Sequence, residues 1–249
     1  MRKSVIIAAL TCAAPICAPA AAVELIVNGG FETGTYAGWA PFTFAGSSGG
    51  LSVNPNGANA PLSGLPVNVN PGGANWVSLT DQTGPGAYSL IQHFTIPINA
   101  VQVIVSFDQV VTDWSGVGPI VNAAGLDPTA VPNQHARVDI LVGGTPAFST
   151  AAADIVTNLY LGVDAGTPAL WSSYAFNLTG VLLPGVTYYF RAAEVDNQGF
   201  LNQGIDNVSV DVTLAALPEP ASWAMLITGF AGIGMILRRK AGHIRLAYA

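Results

Sequence analysis

Ile205-Asp206-Asn207-Val208-Ser209-Val210-Asp211-Val212 sets Val208, Val210 and Val212 two residues apart, with polar residues between. Side chains of a strand alternate between two faces, so this pattern predicts a β-strand with one apolar face. Leu214 extends the apolar set, and Asp206 falls on the same, core-directed side. A carboxylate in that position needs a partner or a cation, which makes Asp206 a candidate site residue. The same alternation recurs upstream. Val101, Val103, Val105 and Phe107 oppose Gln102, Ser106 and Asp108; Tyr88, Leu90, Phe94 and Ile96 oppose Ser89, His93 and Thr95. Tyr174, Phe176 and Leu178 oppose Ser173 and Asn177, and Val186, Tyr188 and Phe190 point inward from a strand over 186–195. Shorter strands are expected at Leu51 to Val53, Trp76 to Leu79 and Arg137 to Val142, the last closed by a Gly143-Gly144 turn. Residues 151–160 fit a short helix or a loose strand.

Between these strands lie stretches without periodicity. Ala45 to Gly73 is rich in Gly, Ser, Asn and Pro; Thr112 to Gln134 contains Asp113-Trp114; Asp196 to Gly204 is polar. All three are expected as loops. With 28 Gly and 17 Pro in 249 residues, the composition is that of a β-rich domain with many turns. The expected fold class is all-β, a jelly-roll β-sandwich over residues 23–216, with a helical segment only at each end of the chain.

Charge is unevenly distributed. All 14 Asp and Glu fall between Glu24 and Glu219, and that stretch holds only Arg137 and Arg191 as cations, a formal balance of −12. Nucleic acid is thereby excluded as a partner, because phosphate binding requires many cations. Divalent cations or neutral sugars suit such a chain better. Both cysteines, Cys12 and Cys17, lie in the first 22 residues. Beyond that segment a disulfide scaffold, a thiol nucleophile and a thiolate-bound metal are excluded.

The two ends read as targeting segments. Met1 to Ala22 opens with Arg2-Lys3, continues into an apolar run and closes on Ala20-Ala21-Ala22, the pattern of a secretory signal peptide. At the other end Pro218-Glu219-Pro220 precedes Ala221 to Leu237, 17 residues without a charge, and then Arg238-Arg239-Lys240. A transmembrane helix over about 221–237 is expected, with residues 238–240 as its basic stop and 241–249 as a cytoplasmic tail.

Pro218-Glu219-Pro220, Trp223-Ala224-Met225, Gly229-Phe230, Gly232, Gly234 and Arg238-Arg239 together resemble the PEP-CTERM sorting signal of Gram-negative bacteria, here spanning 217–240. The same segment is sometimes called an ice-binding-protein C-terminal domain, a label for the tail only. The resemblance implies recognition by exosortase, a membrane-embedded protease-transpeptidase. It also implies inner-membrane anchoring facing the periplasm before processing, and later release or transfer to the cell surface or extracellular matrix, often among extracellular polysaccharide. Unlike the family, this chain continues nine residues past the basic cluster. A second resemblance covers the domain. Asn28-Gly29-Gly30-Phe31-Glu32 with Gly38-Trp39, Gln92 to Pro97 with Val103 to Asp108, and Gly204 to Val210 are similar to the opening, middle and closing strands of galactose-binding-like jelly rolls, the fold of many carbohydrate-binding modules. That resemblance implies a structural Ca²⁺ held by Glu32 and Asp206.

Among Trp39, Trp76, Trp114, Tyr160 and Trp171, the tryptophans in or beside strands are expected in the core. Trp114, in a Gly-rich loop beside Asp113, is the candidate sugar platform. No Gly-x-Ser-x-Gly, His-Glu-x-x-His or phosphate-loop motif occurs. The expected function is therefore non-catalytic association with a polysaccharide or glycan. The alternatives are a structural matrix or envelope protein acting by protein contacts, and a glycan hydrolase.

Overall fold

The computed structural model describes residues 21–215 and 220–241. The signal-peptide expectation falls almost wholly outside these residues, as do Pro218, Glu219 and the tail beyond 241.

The alternating segments form eleven strands: β1 (Ala22–Glu24), β2 (Ala40–Thr43), β3 (Gly49–Pro55), β4 (Trp76–Gln82), β5 (Gly86–Thr95), β6 (Ala100–Asp113), β7 (Gln134–Val142), β8 (Ile155–Gly162), β9 (Ser172–Asn177), β10 (Thr187–Asp196) and β11 (Leu201–Leu214). They build two antiparallel sheets. The first runs β3-β4-β11-β6-β9, with β1 also pairing β11; the second runs β2-β5-β10-β7-β8. From β4 onward every connection except β7–β8 crosses from one sheet to the other. The resulting orders, 4-11-6-9 and 5-10-7-8, are those of an eight-stranded jelly-roll sandwich. β1, β2 and β3 are additions to it. Residues 151–160, ambiguous in sequence, enter β8 from Ile155.

The apolar core lies between the sheets. Val103, Val105 and Phe107 of β6 meet Leu90 and Phe94 of β5, Phe190 of β10 and Val138 and Ile140 of β7. These are the faces that alternation assigns inward. Val101 and Val186, assigned to the same faces, lie at strand ends and are exposed.

One inward assignment is overturned. β11 pairs with β6 in register to Asp206↔Asp108, then resumes at Ser209↔Ser106. The extra residue is a β-bulge at Asn207, whose φ is +47°. The bulge reverses the parity of the strand, so Ile205 and Val208 both reach the core. Asp206 therefore faces away from the core, yet it is fully buried. The opening segment seals it. Asn28 and Phe31 adopt positive φ (55° and 56°), folding the chain so that the Val208 N–H donates to the Gly29 carbonyl at 3.0 Å.

The C-terminal segment forms helix α1 (Pro220–Ala241), as its uncharged run predicts. The membrane-crossing expectation is corrected: among the described residues no helix is long and apolar enough to cross a membrane. The uncharged run sits at the lower limit for such a helix, 17 residues, and Arg238, Arg239 and Lys240 follow it at once.

A Cβ on Gly29 would stand 1.9 Å from the Val208 carbonyl oxygen. Backbone must move to admit it, so Gly29→Ala is expected to destabilise the domain by about 2 kcal/mol or more, read as a lowered urea midpoint. Gly50, which has nothing within 4 Å of its added Cβ, serves as the control.

Candidate functional site

Two features of the second sheet come from cross-strand rows. The first row is Ile91–Arg191–Asp139 on β5, β10 and β7; the next is His93–Tyr189–Leu141. Both face outward, because the inward positions on β10 are Tyr188, Phe190 and Ala192. Arg191 and Arg137, the only arginines between Glu24 and Glu219, converge on Asp139. Arg191 Nη2 stands 2.5 Å and Arg137 Nε 2.7 Å from the same carboxylate oxygen. Burial pushes the Asp139 carboxyl up, but the two guanidinium groups more than offset this and hold it below the usual carboxylate range.

Arg191 also fixes a loop. Its Nη1 donates to the carbonyls of Ala147 (3.0 Å) and Ser149 (2.6 Å), and the Ser89 hydroxyl donates to Ala147 at 3.0 Å. The β7–β8 connection is thereby held down on the sheet as a wall. Beside it opens a cleft of about 490 Å³ lined by Phe42, Ile91, His93, Pro146 and Tyr189, with the edge of Trp39. His93 and Tyr189 stand edge to face, 6.5 Å between ring centroids. Among the described residues no carboxylate lines the cleft. Concave, lined by aromatic rings and with His93 and Thr145 as polar side chains, this surface is suited to an uncharged ligand with apolar faces and hydrogen-bonding edges.

The residues singled out in sequence lie elsewhere. Trp114 is half-buried and its indole N–H donates to Asn202 Oδ1 at 2.9 Å. Asp113 is buried and accepts from the amides of Ser115, Gly116 and Gly118, closing the turn that follows. The pair organises a loop. Trp39 and Trp76 pack in the core as expected, but Trp171 does not: half-buried, it lies over Gly204 on the outer face of the first sheet and donates to the Asn68 carbonyl at 2.6 Å.

Asp206 and Glu32 sit on neighbouring segments with different partners. Glu32 is exposed and accepts from the Asn75 amide at 3.1 Å and from its side chain at 3.2 Å. Asp206 accepts from Asn70 Nδ2 at 2.8 Å and from the Asn207 amide at 2.8 Å. Burial raises the Asp206 pKa to about 6, and the charges of Asp108 and Glu32 add to the rise. No three His, Cys, Asp or Glu side chains converge as a metal centre among the described residues.

A third polar feature was not legible in the chain. β10 and β11 extend into what reads as the polar loop 196–204, and β6 runs to Asp113. Their last inward side chains are polar, so one end of the interior is lined by Gln82, Tyr88, Gln109, Glu194, Asp196 and Gln203, all buried. Both Glu194 carboxyl oxygens, Gln82 Oε1, Gln109 Nε2 and the Tyr88 hydroxyl lack a hydrogen-bond partner among the described residues. The Thr80 hydroxyl and Gln203 amide lie nearby but are bonded to each other at 2.7 Å. Burial raises Glu194 well above the usual carboxylate range, and the Asp196 and Asp81 charges raise it further.

No protein-family model matches the chain, and no curated protein does. Among solved structures it is similar to a family 61 carbohydrate-binding module in complex with β-1,4-galactotriose: 12% identity, 76% of this chain and 97% of that one, TM-score 0.45. It is similar to a cyclase from Fischerella sp. at 15% identity, covering 79% of this chain and 100% of that one, TM-score 0.45. A cleaved adhesin domain of Lys-gingipain from Porphyromonas gingivalis matches at 13% identity over 79% of this chain and 99% of that one, TM-score 0.40. At such identities and TM-scores none of them assigns a ligand to this chain.

Glu194 yields a signed prediction. Its folded pKa lies above the unfolded one, so its contribution is complete below about pH 4.5 and is lost as pH rises toward the folded value. The loss proceeds at up to about 1.4 kcal/mol per pH unit. Glu194→Gln, neutral at every pH, is expected to flatten that fall in urea unfolding between about pH 5 and 8. The difference between parent and variant separates Glu194 from Asp196, which burial raises to about 6.

Proposed function

We propose that the domain is a non-catalytic glycan-binding module of an exported protein, and that its ligand lies in the cleft beside Phe42, His93 and Tyr189. The observation that carries this reading is the cleft itself: aromatic side chains on a rigid sheet, walled by a loop that Arg191 pins down. Ring faces can stack on the apolar faces of a sugar. The absence of carboxylates from the cleft favours binding over glycoside hydrolysis, which uses a pair of them. The Pro218-Glu219-Pro220 tail, the apolar run after it and Arg238-Arg239-Lys240 support sorting by exosortase to the cell surface or extracellular matrix. Polysaccharide would be at hand there.

Phe42→Ala and Tyr189→Ala are each expected to weaken retention in affinity electrophoresis through neutral polysaccharides by about tenfold, the size of one interface anchor. Trp114→Ala is expected to leave retention unchanged. Retention lost with Trp114 and kept without Tyr189 would move the site to the Asp113-Trp114 loop.

A structural Ca²⁺ is the second element of the proposal. Asp206 is a fully buried carboxylate with Asp108 and Glu32 nearby and no cationic side chain among its hydrogen-bond partners. These oxygens fit a hard cation. Asp206 and Glu32 would hold it, and the ion would tie the opening segment to β11. The expected result is a melting temperature raised by calcium and lowered by chelator. That response should disappear in the double variant Glu32→Ala, Asp206→Ala; a full response remaining there would refute these two ligands.

A further inference from the structure

The two ends of the sandwich differ in chemistry. One holds the buried carboxylates Asp113, Glu194 and Asp196. The other is formed by the β5–β6 turn and the β9–β10 connection. These pack on each other: the Gly185 amide donates to the Ile96 carbonyl at 2.8 Å, and the Ile96 amide donates to Val186 at 3.1 Å. Neither 82–107 nor 165–190 contains an Asp, Glu, Lys or Arg. Yet this tip exposes Ile98, Val101, Val181, Leu183 and Val186; Ile98 is 86% exposed and Leu183 53%. Single exposed apolar residues are ordinary, but five grouped on two charge-free loops mark a contact surface.

The chain's course identifies what covers it. Leu214, the last residue of β11, pairs with Ala100 in the same tip. Only residues 215–219 separate it in the chain from Pro220, the first residue of α1. In α1 Met225, Leu226, Ile227, Phe230, Ile233 and Met235 are all exposed. A helix apolar around its circumference requires an apolar medium. We propose that the Ile98–Leu183 tip docks on the surface of a lipid bilayer, the medium that α1 also enters. A bilayer accommodates both surfaces at once, and shallow burial of apolar loops requires no helix that spans it. The tip carries no cation, so its docking depends on apolar area and is insensitive to salt.

The test uses the full chain with Cys12→Ser and Cys17→Ser, which leaves no other thiol. A single environment-sensitive fluorophore is attached through Ile98→Cys or, as control, Thr83→Cys. Thr83 precedes β5 and Ile98 follows it, so the ten residues of that strand separate them by about 33 Å. The protein is added to phosphatidylethanolamine and phosphatidylglycerol vesicles carrying doxyl-labelled lipid. Docking predicts a blue shift and loss of emission at position 98, with neither at position 83, unchanged in high salt. Sedimentation with vesicles while the label at 98 stays unquenched would overturn the proposal and leave α1 as a plain tether. A blue shift at 98 without lipid, growing with protein concentration, would overturn it in favour of a second copy of the chain. Failure to sediment with vesicles would overturn it outright.

Discussion

The bulge at Asn207 is the constraint on which the rest of the structure depends. One extra residue in β11 turns Asp206 away from the core while keeping Val208, Val210 and Val212 in it. The bulge is stable because Gly29 presents bare backbone to it and accepts the Val208 N–H. The same strand edge is shared by β4, at Gly204 and Ile205, and by β1, from Asp211 to Thr213. Opening segment, inner strand and closing strand thus meet at one irregularity. Glu24 reinforces it by accepting from the Val210 amide at 2.9 Å.

Charge is used sparingly and placed with consequence. Both arginines of the domain are drawn to one carboxylate, Asp139, on the outer face of the second sheet. That arrangement stiffens the wall of the cleft. It also leaves the carboxylates between the sheets without a cationic side chain among the described residues, and burial raises Glu194 well above the usual carboxylate range. One end of the sandwich is thereby polar inside and the other apolar outside. Buried unpaired carboxyls and exposed apolar loops both cost stability. Their separation to opposite ends keeps the central core, around Phe107, Phe190 and Val105, wholly apolar.

Much of the architecture was legible in two-residue periodicity. The inward faces of β5, β6, β9 and β10 follow from Tyr88, Val103, Phe176 and Phe190, and the resemblance of the opening and closing segments to those of jelly rolls implied that Glu32 and Asp206 are neighbours. Polar residues misled in a consistent way. Asn202, Gln203 and Asp196 read as loop, because polar runs between apolar strands usually are, yet they continue β10 and β11 into the interior. In the Asp113-Trp114 stretch, expected as a loop, the carboxylate caps its own turn and the indole N–H donates to Asn202. The cleft was missed because its side chains come from β2, β5, the β7–β8 connection and β10, distant in the chain.

The chain alone settles what depends on local order: strand periodicity, the surplus of carboxylates, the cysteine-free domain and the uncharged helix beside a basic cluster. These follow from residue type and spacing, without reference to any distant neighbour. Only the assembled sheets decide which way Asp206 points, which rows place Tyr189 beside His93, and which apolar residues remain uncovered. The physical reason is that parity along a strand is reset by a single bulge, and neighbours across a sheet are set by pairing register. Both arise from hydrogen bonds between segments up to about a hundred residues or more apart, as in Asp206 to Asn70.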